Sequence, residues 1–182
     1  MVYVFLAPGF EEIEALAVVD VLRRAELDVL TVGVGEDFVI GSHQIPVACD
    51  ISEKALILDE QVEAIVLPGG MPGTLNLEKS ETVQKAINWA VENDKLVCAI
   101  CAAPSILGHK GLLDGKSATC FPGFEEELFG ATVSSDFVVK DGNFITAKGM
   151  GSAIEVGLQI AEILTSIHNA QKIRASLQIY NG

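Results

Sequence analysis

Short apolar runs alternate with stretches of helical periodicity from the start of this 182-residue chain, and that alternation constrains the fold more than any other feature. Val2 to Leu6 reads as a strand, and Glu11 to Ala25 carries apolar residues at helical spacing. Asp28 to Val34 is a second strand, and Ala64 to Leu67 is a short buried strand that ends in Pro68-Gly69-Gly70. Glu81 to Asn93 reads as a helix with Val83, Ile87 and Ala90 on one face, followed by a buried strand over Leu96 to Ile100. Gly151 to Ile167 reads as one long helix rich in Ile, Leu and Ala. Strands that alternate with helices form right-handed βαβ units, and hence a parallel sheet covered on both faces. Hairpins interrupt the pattern at Phe38 to Val47, around Gly41-Ser42, and at Phe137 to Ile145, around Asp141-Gly142. Ser117 to Cys120 is a further strand candidate. No linker, repeat or low-complexity tract divides the chain, so residues 1–182 are expected to form one α/β domain.

Several classes of partner are set aside by composition. Mean hydropathy is +0.40, yet no apolar run reaches the roughly 18 residues that cross a membrane. The first apolar residues lack a basic flank and run into Pro8-Gly9, so they are expected to be a strand rather than a signal peptide. A net charge of −13 argues against nucleic acid or an anionic membrane as the main partner. With no secretion signal, Cys49, Cys98, Cys101 and Cys120 are expected to be reduced thiols in the cytoplasm. No Cys and His spacing suits a metal, and no metal is expected. Cys98 and Cys101 form a C-x-x-C, which invites a redox reading. Cys98, however, lies within the strand, and three strand residues separate Cα atoms by roughly 10 Å, beyond the reach of a disulfide.

Cys101 is the candidate nucleophile. It stands where a buried strand turns into a helix, with the small residues Ala99, Ala102 and Ala103 around it. A sharp turn of this kind brings backbone and helix close together, as in a nucleophile elbow. A helix start offers free N–H groups that lower a thiol pKa. Glu14 is the second signal. It is spaced three, four and seven residues from Ala17, Val18 and Val21, and so falls on the apolar face of the first helix. A carboxyl there is either a structural acid held by backbone donors or a proton carrier with a raised pKa. Glu11 and Glu12 suit the helix N-terminus, where acids are common. The Gly69-Gly70 pair is a turn, or it sets the Gly70 N–H opposite that of Ala102 as an oxyanion hole. Ser152 is expected to cap the long helix. His109 lies eight residues past Cys101, about 12 Å along a helix, and cannot serve it as a base. His43 could reach the site only through a tertiary or dimer contact.

Five segments together resemble the ThiJ/PfpI family: Pro8-Gly9-Phe10-Glu11-Glu12-Ile13-Glu14, Val19 to Ala25, Leu67-Pro68-Gly69-Gly70, Ala99-Ile100-Cys101-Ala102-Ala103-Pro104 and Gly149-Met150-Gly151-Ser152. The resemblance runs nearly the whole chain. It implies a flavodoxin-like three-layer sandwich, related to class I glutamine amidotransferases, that is usually dimeric. It implies that Cys101 is the reactive cysteine and Glu14 the acid that contacts it. Members carry glyoxalase, deglycase, chaperone and oxidative-stress roles. Many relatives have histidine where this chain has Phe121, and arginine near the position of His43. Gly69, Arg24, His43 and Phe121 are the candidate pocket residues.

The resulting expectation is a cofactor-independent, homodimeric enzyme acting on small carbonyl compounds or glycated adducts. The alternative is an oxidative-stress sensor or redox-regulated chaperone that works by oxidation of Cys101. Peptide hydrolysis is not expected, because an amine leaving group needs a proton donor beside the nucleophile and no histidine stands there.

Overall fold

A computed structural model describes residues 1–179, so the last three residues of the expected domain lie outside the described ones. The chain begins with β1 (Val2–Leu6), α1 (Glu12–Arg24) and β2 (Val29–Gly33). A hairpin follows, β3 (Phe38–Ile40) and β4 (Pro46–Ala48), then the two-residue β5 (Ile51–Ser52). Next come β6 (Ala64–Leu67), α2 (Gly73–Lys79), α3 (Glu81–Glu92), β7 (Leu96–Ile100) and α4 (Pro104–His109). The last third holds β8 (Ser117–Ala118), β9 (Thr132–Val133), β10 (Val138–Asp141), β11 (Phe144–Ala147), α5 (Ala153–Leu164) and α6 (Ile167–Ser176).

Seven strands form the central sheet in the order β10-β11-β7-β6-β1-β2-β5. All neighbours run parallel except β10, which closes one edge as the antiparallel arm of a hairpin. Alternate residues of each strand face opposite layers. Val2, Val4, Leu6, Val66, Cys98 and Ile100 pack under α1 and α5. Tyr3, Phe5, Ile65, Leu67, Val97 and Ala99 pack under Val83, Ile87 and Ala90 of α3 and Ile106 and Leu107 of α4. These are three layers around a mostly parallel sheet, as the alternation predicts.

Four details differ from the sequence reading. The long helix is two helices, because Thr165 leaves the helical conformation while its hydroxyl bonds back to the Ala161 carbonyl at 2.6 Å. Ser166 then starts α6 by accepting the Asn169 N–H at 3.2 Å. Ser152 sits buried at the start of α5 and makes no capping bond, since a short 3-10 turn over Met150–Ser152 leads into the helix. The expected strand at 117–120 pairs only over Ser117 and Ala118, with β9, outside the main sheet. Ile13, one of the apolar positions at helical spacing in the first helix, points outward rather than into the core.

The parallel strands bring their C-terminal ends to one edge, where ligands bind in open α/β sheets. Short backbone bonds knit that edge together. Glu11 N–H donates to Gly69 O at 2.9 Å, Gly73 N–H to Gly9 O at 3.1 Å and Cys101 N–H to Ala147 O at 2.8 Å.

Candidate active site

The loops after β1, β6, β7 and β11 meet around Cys101. Its φ is +64°, a left-handed conformation that β-carbon-bearing residues rarely adopt. The turn is held by Ala103 N–H on Ile100 O at 3.0 Å and by Phe121 N–H on Cys101 O at 2.8 Å. Cys101 therefore stands at a sharp strand-to-helix turn, as its small neighbours suggest. The helix proper begins three residues later at Pro104.

Glu14 is 1% exposed. Glu11 starts α1 by accepting the Glu14 N–H at 2.6 Å, which fixes the first turn and aims the Glu14 side chain inward. The carboxyl takes the Gly69 N–H at 2.8 Å on Oε2 and lies beside the Met150 N–H and the Cys101 sulfur, both of which act to lower its pKa. Gly69 has no room for a side chain: a Cβ there would lie 2.6 Å from the Cys101 Cβ and 2.7 Å from Glu14 Oε2. Gly70, at φ +90°, and Ala102 each offer a backbone N–H to the Cys101 sulfur. Three donors thus converge on one sulfur when Glu14 is protonated.

Burial raises the Glu14 pKa to about 7, against the lowering effect of the Gly69 N–H, and the Glu11 charge adds to the rise. Burial also pushes the Cys101 thiol up to about 12, with the Glu14 charge next, while the Gly70 and Ala102 N–H groups pull it down. This corrects the expectation that the turn alone activates the thiol. Desolvation outweighs the backbone donors, and an ionised Glu14 adds to the rise. Once Glu14 carries the proton its charge is gone, and its O–H becomes a donor to a thiolate. The titrations of Cys101 and Glu14 thus depend on each other. Burial likewise raises Cys49 and Cys120 to about 11, with Asp50 and Asp37 adding to the first and Glu125 to the second, and raises Cys98 further still.

The other candidates divide. The Phe121 ring lies within 3.4 Å of a Cβ built on Gly149, which is 3.6 Å from Glu14 Oε1, so Phe121 borders the pair. Arg24 does not. Ten residues of helix put it about 15 Å from Glu14, where it pairs with Asp20 at 2.7 Å and lines a cleft with Asn169 and Lys172. His43 is largely exposed and bonds through Nδ1 to Glu12 Oε2 at 3.0 Å. His109 bonds to Glu78 and Glu127.

Two residues go unread in the sequence. Met150 contributes its N–H through a loop that carries no side-chain signal. Glu12 does more than suit the helix N-terminus: it is buried, and its carboxylate accepts the His43 N–H at 2.7 Å and the Ile45 N–H at 3.4 Å, tying the β3–β4 turn to α1. Glu11, Glu12 and His43 bring ligating atoms within 4.8 Å of one another. Hydrogen bonding to the turn accounts for that cluster. Among the described residues, no helix is long and apolar enough to cross a membrane.

Comparison with known proteins agrees with this fold. A model of the DJ-1/PfpI family matches residues 1–163. Protein dj-1beta of Drosophila melanogaster is 37% identical over 182 residues, covering 98% of this chain and 97% of that protein. The glutathione-independent glyoxalase DJR-1.2 of Caenorhabditis elegans is 31% identical, covering 85% and 82%. The crystal structure of Drosophila melanogaster DJ-1beta superposes with a TM-score of 0.91 at 34% identity, covering 98% and 97%. The sandwich is thus flavodoxin-like and of the class I glutamine amidotransferase-like type. The segments that resemble ThiJ/PfpI, the converging loops and these matches lead to one conclusion: the chain belongs to the DJ-1/PfpI family.

Proposed function

We propose that the chain is a cofactor-independent enzyme that converts reactive dicarbonyl compounds, or their adducts, through Cys101 and Glu14. The observation that carries this reading is the buried Glu14 carboxyl, set against the sulfur and poised near neutrality. With methylglyoxal as substrate, Glu14 takes the thiol proton and the thiolate adds to the aldehyde carbon. The resulting oxyanion lies beside the N–H groups of Gly70 and Ala102. Glu14 returns its proton to that oxygen, giving a neutral hemithioacetal. As carboxylate, Glu14 then removes the C1 proton to form an enediolate and delivers it to C2, while the proton of the C1 hydroxyl passes to the C2 oxygen, leaving a lactoyl thioester on Cys101. Water cleaves the thioester, giving lactate and the free thiol. Oxidation and reduction are internal to the substrate, so the atoms balance with one water and no cofactor. The glyoxalase named among the relatives supports this substrate class.

A second reading has its own observation. The same three donors around the sulfur suit the oxygens of a sulfinate, formed by an external peroxide. Cys101 oxidation would then serve stress sensing or a redox-regulated chaperone role.

A homodimer is also proposed. Ile13, Phe38, Ile40 and Ile45 leave apolar surface exposed along α1 and the β3–β4 hairpin. Lactate release from methylglyoxal tests the main reading. Turnover that vanishes in Cys101→Ser supports it, and wild-type protein that releases none while forming a sulfinate with peroxide favours the second.

A further inference from the structure

We propose that His109 is a positioning residue for the Cys101 site, closing a ring of three segments that leave the site and rejoin at its imidazole. Each segment starts at the sulfur or at the Cys101 backbone. Gly70 turns its N–H to the sulfur, and its carbonyl takes the Thr74 N–H at 2.9 Å, leading into α2 and Glu78. Cys101 itself leads into α4, which ends at His109. Phe121 donates to Cys101 O, Phe124 N–H to Phe121 O and Glu127 N–H to Phe124 O, the last two at 3.1 Å.

At the far end His109 Nδ1 lies 2.5 Å from Glu78 Oε1, and Nε2 lies 2.8 Å from Glu127 Oε2. An ionised carboxylate only accepts, so both bonds exist together only when both ring nitrogens carry protons. Those carboxylates are the charged groups that face the ring from α2 and from the turn at Glu125–Glu127. The Phe129 ring packs at 5.2 Å. The neighbouring Lys110 ammonium is turned away to Gln84, at 2.8 Å. Hydrogen bonding to Glu78, more than that to Glu127, raises the His109 pKa.

The consequence reaches the site through Phe121. Its ring and the Glu14 carboxyl flank Gly149, so a loosened Phe121 admits water to Glu14 and lowers its pKa. This last step rests on the reading of Cys101 and Glu14 as the reactive pair. The ring closure does not.

The test is amide hydrogen exchange on the full chain. The protection factor of the Phe121 N–H is compared with that of Val66, in the centre of the sheet. In His109→Gln and in Glu127→Gln, Phe121 protection is expected to fall about tenfold relative to Val66 near pH 6, the loss of roughly one hydrogen bond. In wild-type protein it falls as pH rises through the His109 titration. Phe121 protection that is unchanged, or that drops only in step with Val66, overturns the proposal whatever Cys101 does. The pH midpoint of Cys101 alkylation is the second readout. It moves down in His109→Gln if the ring shelters Glu14, and an unmoved midpoint removes His109 from the positioning role.

Discussion

Glu12 and Glu14 stand two residues apart on the first turn of one helix, both almost fully buried, and burial leaves them in opposite states. Glu12 faces the hairpin. Its carboxylate is surrounded by donors, the N–H groups of His43 and Ile45, the Ser42 hydroxyl and the His43 ring. Burial alone would raise its pKa, but the donors, with the His43 ring foremost, hold it below the usual carboxylate range. Glu14 faces the sheet edge. It has two backbone donors, a sulfur neighbour and the added charge of Glu11, and its pKa rises to about 7. The comparison teaches that the depth of desolvation and the count and kind of donors together decide whether an interior carboxyl is held ionised or raised toward neutrality.

The strongest way to break that contrast is to neutralise each acid in turn. Glu14→Gln keeps the shape and removes the proton, so turnover of methylglyoxal should fall by about two to four orders of magnitude. Glu12→Gln should leave turnover within a few-fold of wild type. Equal losses in the two variants, read from lactate release, would erase the distinction.

The two acids should also act on stability in opposite directions. The folded pKa of Glu14 is raised, so its contribution is present below its unfolded value and is lost as pH rises through about 7. The size of the shift corresponds to a loss on the order of 3 kcal/mol between pH 5 and 8. Glu14→Gln should remove that slope in urea unfolding measured across this range. The folded pKa of Glu12 is lowered, so its contribution holds above its unfolded value and fades as pH falls through the folded one. Glu12→Ala strands the two N–H groups of the turn and should cost about 1–3 kcal/mol at neutral pH. Stability that stays flat from pH 5 to 8 in wild-type protein contradicts the Glu14 assignment, and an acid dependence below that range that is unchanged in Glu12→Gln contradicts the Glu12 one.

How much of this contrast the sequence reveals depends on what each residue touches. Glu14 is legible because its partners on the apolar face lie three, four and seven residues along the same helix. Glu12 is not, because an acid in a first helical turn is common, and only the turn at Gly41–Ile45, some thirty residues away, buries it. The elbow at Cys101 is legible from the apolar strand and its small neighbours. The thiol's burial is not, since it comes from loops distant in sequence. Arg24 could have been set aside by the helix rise alone, which carries it to the opposite end of α1. The break at Thr165-Ser166 has no Gly or Pro to announce it. It arises from side-chain hydroxyls that bond to the backbone.

A smaller effect concerns Cys98 and Cys101, three residues apart on the same strand and turn. Cys98 is fully buried in the core, whereas Cys101 is half-buried beside Glu14. Substoichiometric iodoacetamide should label Cys101 about tenfold or more over Cys98, and over Cys49 and Cys120, by peptide mass mapping. Preferential labelling of any of the other three removes Cys101 from its role.

The central claim is that Glu14 shares a proton with Cys101 near neutrality while Glu12 stays ionised. Carbon-13 NMR of glutamate-labelled protein reads each carboxyl directly, with Glu14→Gln and Glu12→Gln assigning the two signals. The account predicts one buried carboxyl that titrates near pH 7 and disappears in Glu14→Gln, and a second that titrates below the usual carboxylate range. Both carboxyls titrating below pH 5 would contradict it.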